Sequence, residues 1–259
     1  ARARTAAITA MEIATLCGLA PGRVLPGIGH GVQDWMAQMG VRPESPLTAL
    51  DEVLAGVGRL LDGEQVDMAG RYVHLDHVQL DQAPVPRPPV LAGVRGPKSL
   101  ALAGRVADGV VLDMAGPAYV RRALEQADPP GSFRVVAFTA FITADQRVEA
   151  YRLAAPWLAA QLEHPSASIR AVPFFDELMA VFQRDGPDAL ASIPTDWWSE
   201  LGAIGTLDDA MSHVEALEAA GVDDIAMFPA PDPAIARAQL DDVVRLASAR
   251  EVSPRVGQA

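Results

Sequence analysis

The chain carries a single cysteine, Cys17, in 259 residues. One thiol forms no internal disulfide and builds no cysteine-based metal site, so Cys17 reads as a small buried hydrophobe in a reducing compartment. Basic residues are scarce as well. Lys and Arg number 21 against 33 Asp and Glu, a net charge of −12. With no basic cluster to offset that charge, the sequence excludes a nucleic-acid partner. No apolar run approaches the ~20 residues that a membrane span needs. The opening stretch mixes Thr9, Glu12 and Thr15 into its apolar residues, in the manner of an amphipathic helix rather than a signal peptide. The sequence has no Walker-type loop and no Ser nucleophile elbow. A cytoplasmic chain acting on a small molecule is the expectation.

Half of the residues are apolar and 21% are charged, a compact folding composition. Helical apolar spacing covers residues 6–19, 47–61, 98–107, 117–127, 206–220 and 233–249. Thr206 is the expected N-cap of the fifth of these. Short apolar runs at 24–28, 90–93, 109–112, 133–142 and 223–228 read as buried strands, and 65–80 reads as a small β-hairpin. Residues 146–190 are helix-rich and broken by Pro156, Pro165 and Pro173. Strand and helix alternate, which predicts an α/β fold with a parallel sheet covered by helices. One domain over residues 1–250, with a helical insertion about 146–200, and a flexible tail at 251–259 are expected.

Two strand ends carry the chemistry. Residues Gly93-Val94-Arg95-Gly96-Pro97-Lys98 leave a strand and open a helix. Free backbone N–H groups and the helix dipole suit a phosphate there, and Arg95 or Lys98 adds charge. The alternative is an ordinary turn that needs Gly and Pro for its shape. Gly29-His30-Gly31 ends another strand. Its glycines let a flat ring approach, and His30 is either a hydrogen-bonding or acid group toward that ring or a solvent-facing loop histidine. Trp35 is a substrate-pocket wall or a packed aromatic, and Asp113, ending a third strand, has an even chance of facing the pocket. His74, Asp76, His77 and Asp81 suggest a metal, but their hairpin alternates polar and apolar residues, so they read as a solvated face and no metal is expected. His164 and His213 stand alone in the sequence, and Trp197-Trp198 is a lid or a packing plug.

Three stretches together resemble a family: residues 22–31 with Trp35, residues 91–98 with 102–110, and Ala220-Gly221-Val222-Asp223-Asp224-Ile225-Ala226-Met227-Phe228-Pro229. They are similar to the bacterial-luciferase-like superfamily of flavin- and deazaflavin-dependent oxidoreductases. The resemblance implies a TIM (β/α)8 barrel. Five staves are read here instead of eight, as though the first three βα units, about 70 residues, lay outside the chain. It further implies a cofactor phosphate on the loop 93–98 and a ring beside residues 29–31. The implied activity is hydride transfer between the deazaflavin coenzyme (factor-420) and a small organic substrate, in a homodimer. An FMN-dependent monooxygenase is the alternative, a non-catalytic flavin-binding barrel the third reading, and an unrelated metal-dependent hydrolase the fourth. In deazaflavin-using members a carboxylate often follows the Gly-x-Gly, whereas this chain has Val32, Gln33 and only then Asp34.

Overall fold

A computed structural model describes residues 3–229 and 232–252. The chain divides into two compact units, residues 1–112 with 123–136 and residues 113–122 with 137–259.

In the first unit, α1 (Ala6–Leu19) is capped by Thr5, whose hydroxyl accepts the Ile8 N–H. Its stripe Ala6, Ala10, Ile13 and Cys17 is buried at helical spacing, so Cys17 is the small core hydrophobe the sequence implies. After β1 (Gly27–Gly29) and α2 (Gln33–Gln38) comes α3 (Pro46–Leu61). Ser45 caps α3 and Pro46 fits its first turn, where no N–H is needed. The buried Leu50, Val53, Leu54, Val57, Leu60 and Leu61 hold it in the core. The hairpin is present as β2 (Val66–Ala69) and β3 (His74–Val78), paired antiparallel. Glu52 of α3 fixes the turn between them by accepting the backbone N–H groups of Arg71, Tyr72 and Val73 at 2.7–2.9 Å.

Next come β4 (Leu91–Gly93), α4 (Pro97–Val106) and β5 (Gly109–Leu112). β1, β4 and β5 pair side by side and parallel, with Gly27 opposite Leu91 and Leu91 opposite Gly109. β1 starts later than residues 24–28 suggest, because Pro26 has no N–H for the ladder. Its carbonyl instead accepts the Leu91 N–H at 2.8 Å. Gly104 is forced to be glycine by packing: a Cβ there would lie 1.8 Å from the Ala127 carbonyl oxygen.

The division between units falls within α5 (Pro117–Ala127) and β6 (Arg134–Thr143). In the second unit follow α6 (Arg147–Glu163), α7 (Phe175–Asp185), α8 (Thr195–Leu201), β7 (Ala203–Gly205), α9 (Leu207–Ala219), β8 (Asp224–Pro229) and α10 (Pro233–Val252). β6 pairs parallel with β7, Phe141 facing Ala203, and β8 also pairs with β6. The architecture is α/β with a parallel sheet. β7 is a sixth strand that the count of five leaves out.

Two expectations are corrected here, and one alternative is resolved. Pro156 lies inside α6 rather than breaking it. The buried Tyr151, Ala154, Ala155, Leu158, Ala159 and Leu162 outweigh the lost backbone bond, a cost of about 3 kcal/mol. Trp197-Trp198 is a packing plug: Trp198 is fully buried and stacks on Tyr151, and Trp197 stacks on Phe174 at 4.5 Å. α10 reaches Val252, and the remainder of the expected tail, 253–259, lies outside the described residues. Thr206 is the cap of α9 as expected, in a reciprocal capping box with Asp209. Among the described residues no helix is long and apolar enough to cross a membrane.

Candidate functional site

β1 and β4 run in the same direction and end together, with Gly29 opposite Gly93. The two glycine-bearing loops, read separately along the sequence, therefore leave adjacent strands at one edge of the first unit's sheet. Ligands bind at this carboxyl edge in parallel α/β folds. Gly29 is held to glycine by the sheet itself, since a Cβ would come 2.7 Å from the Gly93 carbonyl oxygen. Gly31 adopts φ +74°, the left-handed region that favours glycine, and turns the chain into α2.

Gly96 differs from both. It is the N-cap of α4 at φ −95°, an angle open to any residue, and a Cβ there would meet nothing within 4 Å. Neither backbone nor crowding demands glycine at this position. No side chain caps α4, and Pro97 follows at its first position. The result is open space over an uncapped helix N-terminus, which is what a phosphate requires. Arg95, Pro97 and Lys98 are exposed around it and Val94 is buried beneath. Gly96 and the first turn of α4 thus fit the cofactor phosphate that the resemblance implies on this loop.

His30 is neither solvent-facing nor free. Its ring is half-buried, and both nitrogens are engaged: Nδ1 lies 3.1 Å from the Pro46 carbonyl oxygen and Nε2 2.8 Å from Ser99 Oγ. A carbonyl only accepts, so Nδ1 carries the proton and Nε2 accepts from the Ser99 hydroxyl. Burial holds His30 below the usual histidine range, against the opposing effect of the Pro46 bond. The ring is therefore neutral near pH 7, which disfavours an acid role. Ser99 and Pro46 are partners that sequence reasoning missed. Ser99 offers one signal, as the lone hydroxyl between Gly93 and Val106.

Trp35 is on α2 and 63% exposed. Asp113 directly follows β5 and is half-buried. Among the hairpin residues, Asp67, Asp76 and His77 bring ligand atoms within 4.8 Å of one another, while His74 and Asp81 are not part of that group. All three are exposed, and His77 already bonds Asp76 at 2.6 Å, as befits a solvated face. His213, alone in the sequence, is not alone in the fold. It is buried in the second unit between Thr139 Oγ1 at 2.9 Å and the Ser199 carbonyl at 2.6 Å.

Comparison with known proteins adds a family to this geometry. Residues 2–224 match the model of the luciferase-like monooxygenase family. The chain is 36% identical over 123 residues to the 5,10-methylenetetrahydromethanopterin reductase of Methanolobus tindarius, a match covering 48% of this chain and 37% of that one. It is 27% identical over 234 residues to the reductase of the same name from Archaeoglobus fulgidus, covering 83% and 70%. The matches thus span little more than a third of the first relative's length and about seven-tenths of the second's. Among solved structures, the coenzyme F420-dependent tetrahydromethanopterin reductase of Methanopyrus kandleri superimposes with a TM-score of 0.61 at 23% identity, covering 88% of this chain and 74% of that one. That likeness speaks for the fold.

Proposed function

The chain belongs to the luciferase-like monooxygenase family, and from that membership we propose that it is an oxidoreductase passing hydride between coenzyme F420 and a small organic substrate. The observation that carries the reading is the alignment of Gly29 with Gly93, which sets the Gly-His-Gly loop beside the uncapped first turn of α4. When bound, a deazaflavin supplies a ring carbon that takes or gives hydride. The chain's own residues do the holding. Gly96 and the α4 N-terminus receive the phosphate, and Arg95 and Lys98 add charge to its rim. Gly93, Val94 and Pro97 shape the loop. Gly29, His30 and Gly31 lie under the ring, and Trp35 and Asp113 are the proposed substrate-side residues.

Relatives favour F420 over FMN. The reductases matched above act with methylenetetrahydromethanopterin by name, and the solved one is F420-dependent by its description. The family name itself favours the second reading, an FMN-dependent monooxygenase. Both cofactors offer a phosphate to the same seat, so the loop does not choose between them. The accompanying architecture is a luciferase-like (β/α)8 barrel as one domain over residues 1–250, assembled as a cytoplasmic homodimer.

Titrating coenzyme F420 and FMN into the protein by fluorescence tests the proposal. Binding of F420 with reversible reduction supports it. Binding of FMN alone, with oxygen uptake on reduction, supports the second reading. Binding of neither removes both.

A further inference from the structure

Gly96 has no side chain with which to cap α4, and the one hydroxyl of residues 93–106 is bound elsewhere. Ser99 is the third residue of the helix, the position from which a hydroxyl can serve the first turn, and its own N–H closes on the Gly96 carbonyl at 3.0 Å. Its hydroxyl does not serve the helix. It points to His30 Nε2 at 2.8 Å, and His30 in turn donates from Nδ1 to Pro46. Three elements meet in this row: the start of α3, the exit of β1 and the first turn of α4. They are 16 and 69 residues apart in the chain.

The row has a fixed polarity. The Pro46 carbonyl accepts, so the ring proton sits on Nδ1, so Nε2 accepts, so the Ser99 hydrogen points at the ring. From Gly93 to Val106 the sequence holds no other hydroxyl. The bond to His30 anchors the first turn of α4 to the strand end that carries the Gly29–Gly93 pair.

We propose that Ser99 is a positioning residue for the phosphate seat, acting through His30, which serves as a neutral crossbar and not as a proton donor. This role rests on the reading that the α4 N-terminus receives a cofactor phosphate. It extends the site to a residue outside both glycine loops. It also separates the two parts of the cofactor: the clamp governs the phosphate, not the ring.

The test compares each phosphorylated cofactor with its phosphate-free core, coenzyme F420 with its deazaflavin nucleoside and FMN with riboflavin. Ser99→Ala is expected to weaken the phosphorylated partner about ten-fold, the worth of one well-placed hydrogen bond, and to leave the core's affinity unchanged. Ser99→Thr, which keeps the hydroxyl, is expected to restore it. Nitrogen-15 spectra of the His30 ring supply a readout that needs no cofactor: the neutral Nδ1–H form at pH 7 in the wild type, mixed tautomers in Ser99→Ala. Equal losses for phosphorylated and phosphate-free ligands would overturn the role, since that is mere loosening. So would unchanged F420 and FMN affinity in Ser99→Ala, or an Nε2–H ring in the wild type. A wild type that binds neither phosphorylated cofactor removes the seat and this role together. That result is distinct from a wild type that binds and a Ser99→Ala protein that binds equally well.

Discussion

His30 and His213 make the same two bonds in different units. Each donates from Nδ1 to a backbone carbonyl, Pro46 or Ser199, and each accepts at Nε2 from a hydroxyl, Ser99 or Thr139. What surrounds them differs. His213 is on α9 and 1% exposed, sealed against β6 and α8. Burial pushes its pKa down to about 4. His30 is half-buried at a strand end and flanked by glycines. One hydrogen-bond pattern thus cements a core in one unit and arranges a loop in the other. Partners alone do not reveal which; the depth of burial does.

The largest expected contrast is in stability. His213→Ala leaves a cavity and orphans the Thr139 hydroxyl and the Ser199 carbonyl, costing about 3 kcal/mol in denaturant unfolding. His30→Ala, at a half-buried ring, is expected to cost about 1 kcal/mol. Equal losses would break the comparison.

Acid dependence sharpens it. The folded His213 pKa of about 4 is below its ordinary 6.5, so the unfolded chain takes up a proton first as pH falls. The histidine's contribution is intact above pH 6.5 and is lost between pH 6.5 and 4, by about 3 kcal/mol in all. The difference in unfolding free energy between wild type and His213→Gln, followed across that range, measures it. His30 is shifted in the same direction, and His30→Gln is expected to change the slope less.

Smaller effects follow at the hydroxyls. Thr139→Val leaves a buried Nε2 without its donor and is expected to cost about 1–2 kcal/mol. Ser99→Ala is expected to cost under about 1 kcal/mol, its effect appearing in ligand binding instead. Smallest is Gly96→Ala, within about 0.5 kcal/mol of wild type by thermal melting, because φ is ordinary and the space is open.

Much of this was legible in the sequence wherever a local signal sufficed. β5 (Gly109–Leu112) and α5 (Pro117–Ala127) fall where apolar spacing and Pro117 put them, and Thr206 caps α9 as its side chain dictates. β7 was not legible. Three residues carry no period, and the strand is defined by its pairing with β6. α6 ran through Pro156 because tertiary burial, invisible to a local rule, decided the matter. At the site, each glycine loop could be read by itself. Their adjacency came from strand pairing, and the partners of His30 came from residues 16 and 69 positions away. Trp35, which the glycine turn left as a pocket wall or a packed aromatic, lies 63% exposed on α2.

The phosphate seat is the central claim, and Gly96→Asp tests it most directly. A carboxylate placed in the open space over α4 would also cap the helix, so the fold is expected to stay intact and the melting temperature to hold or rise. By fluorescence titration, wild type is expected to bind coenzyme F420, and Gly96→Asp to bind it at least about a hundred-fold more weakly through like-charge repulsion and loss of the N–H groups. A folded Gly96→Asp protein with wild-type affinity would contradict the account.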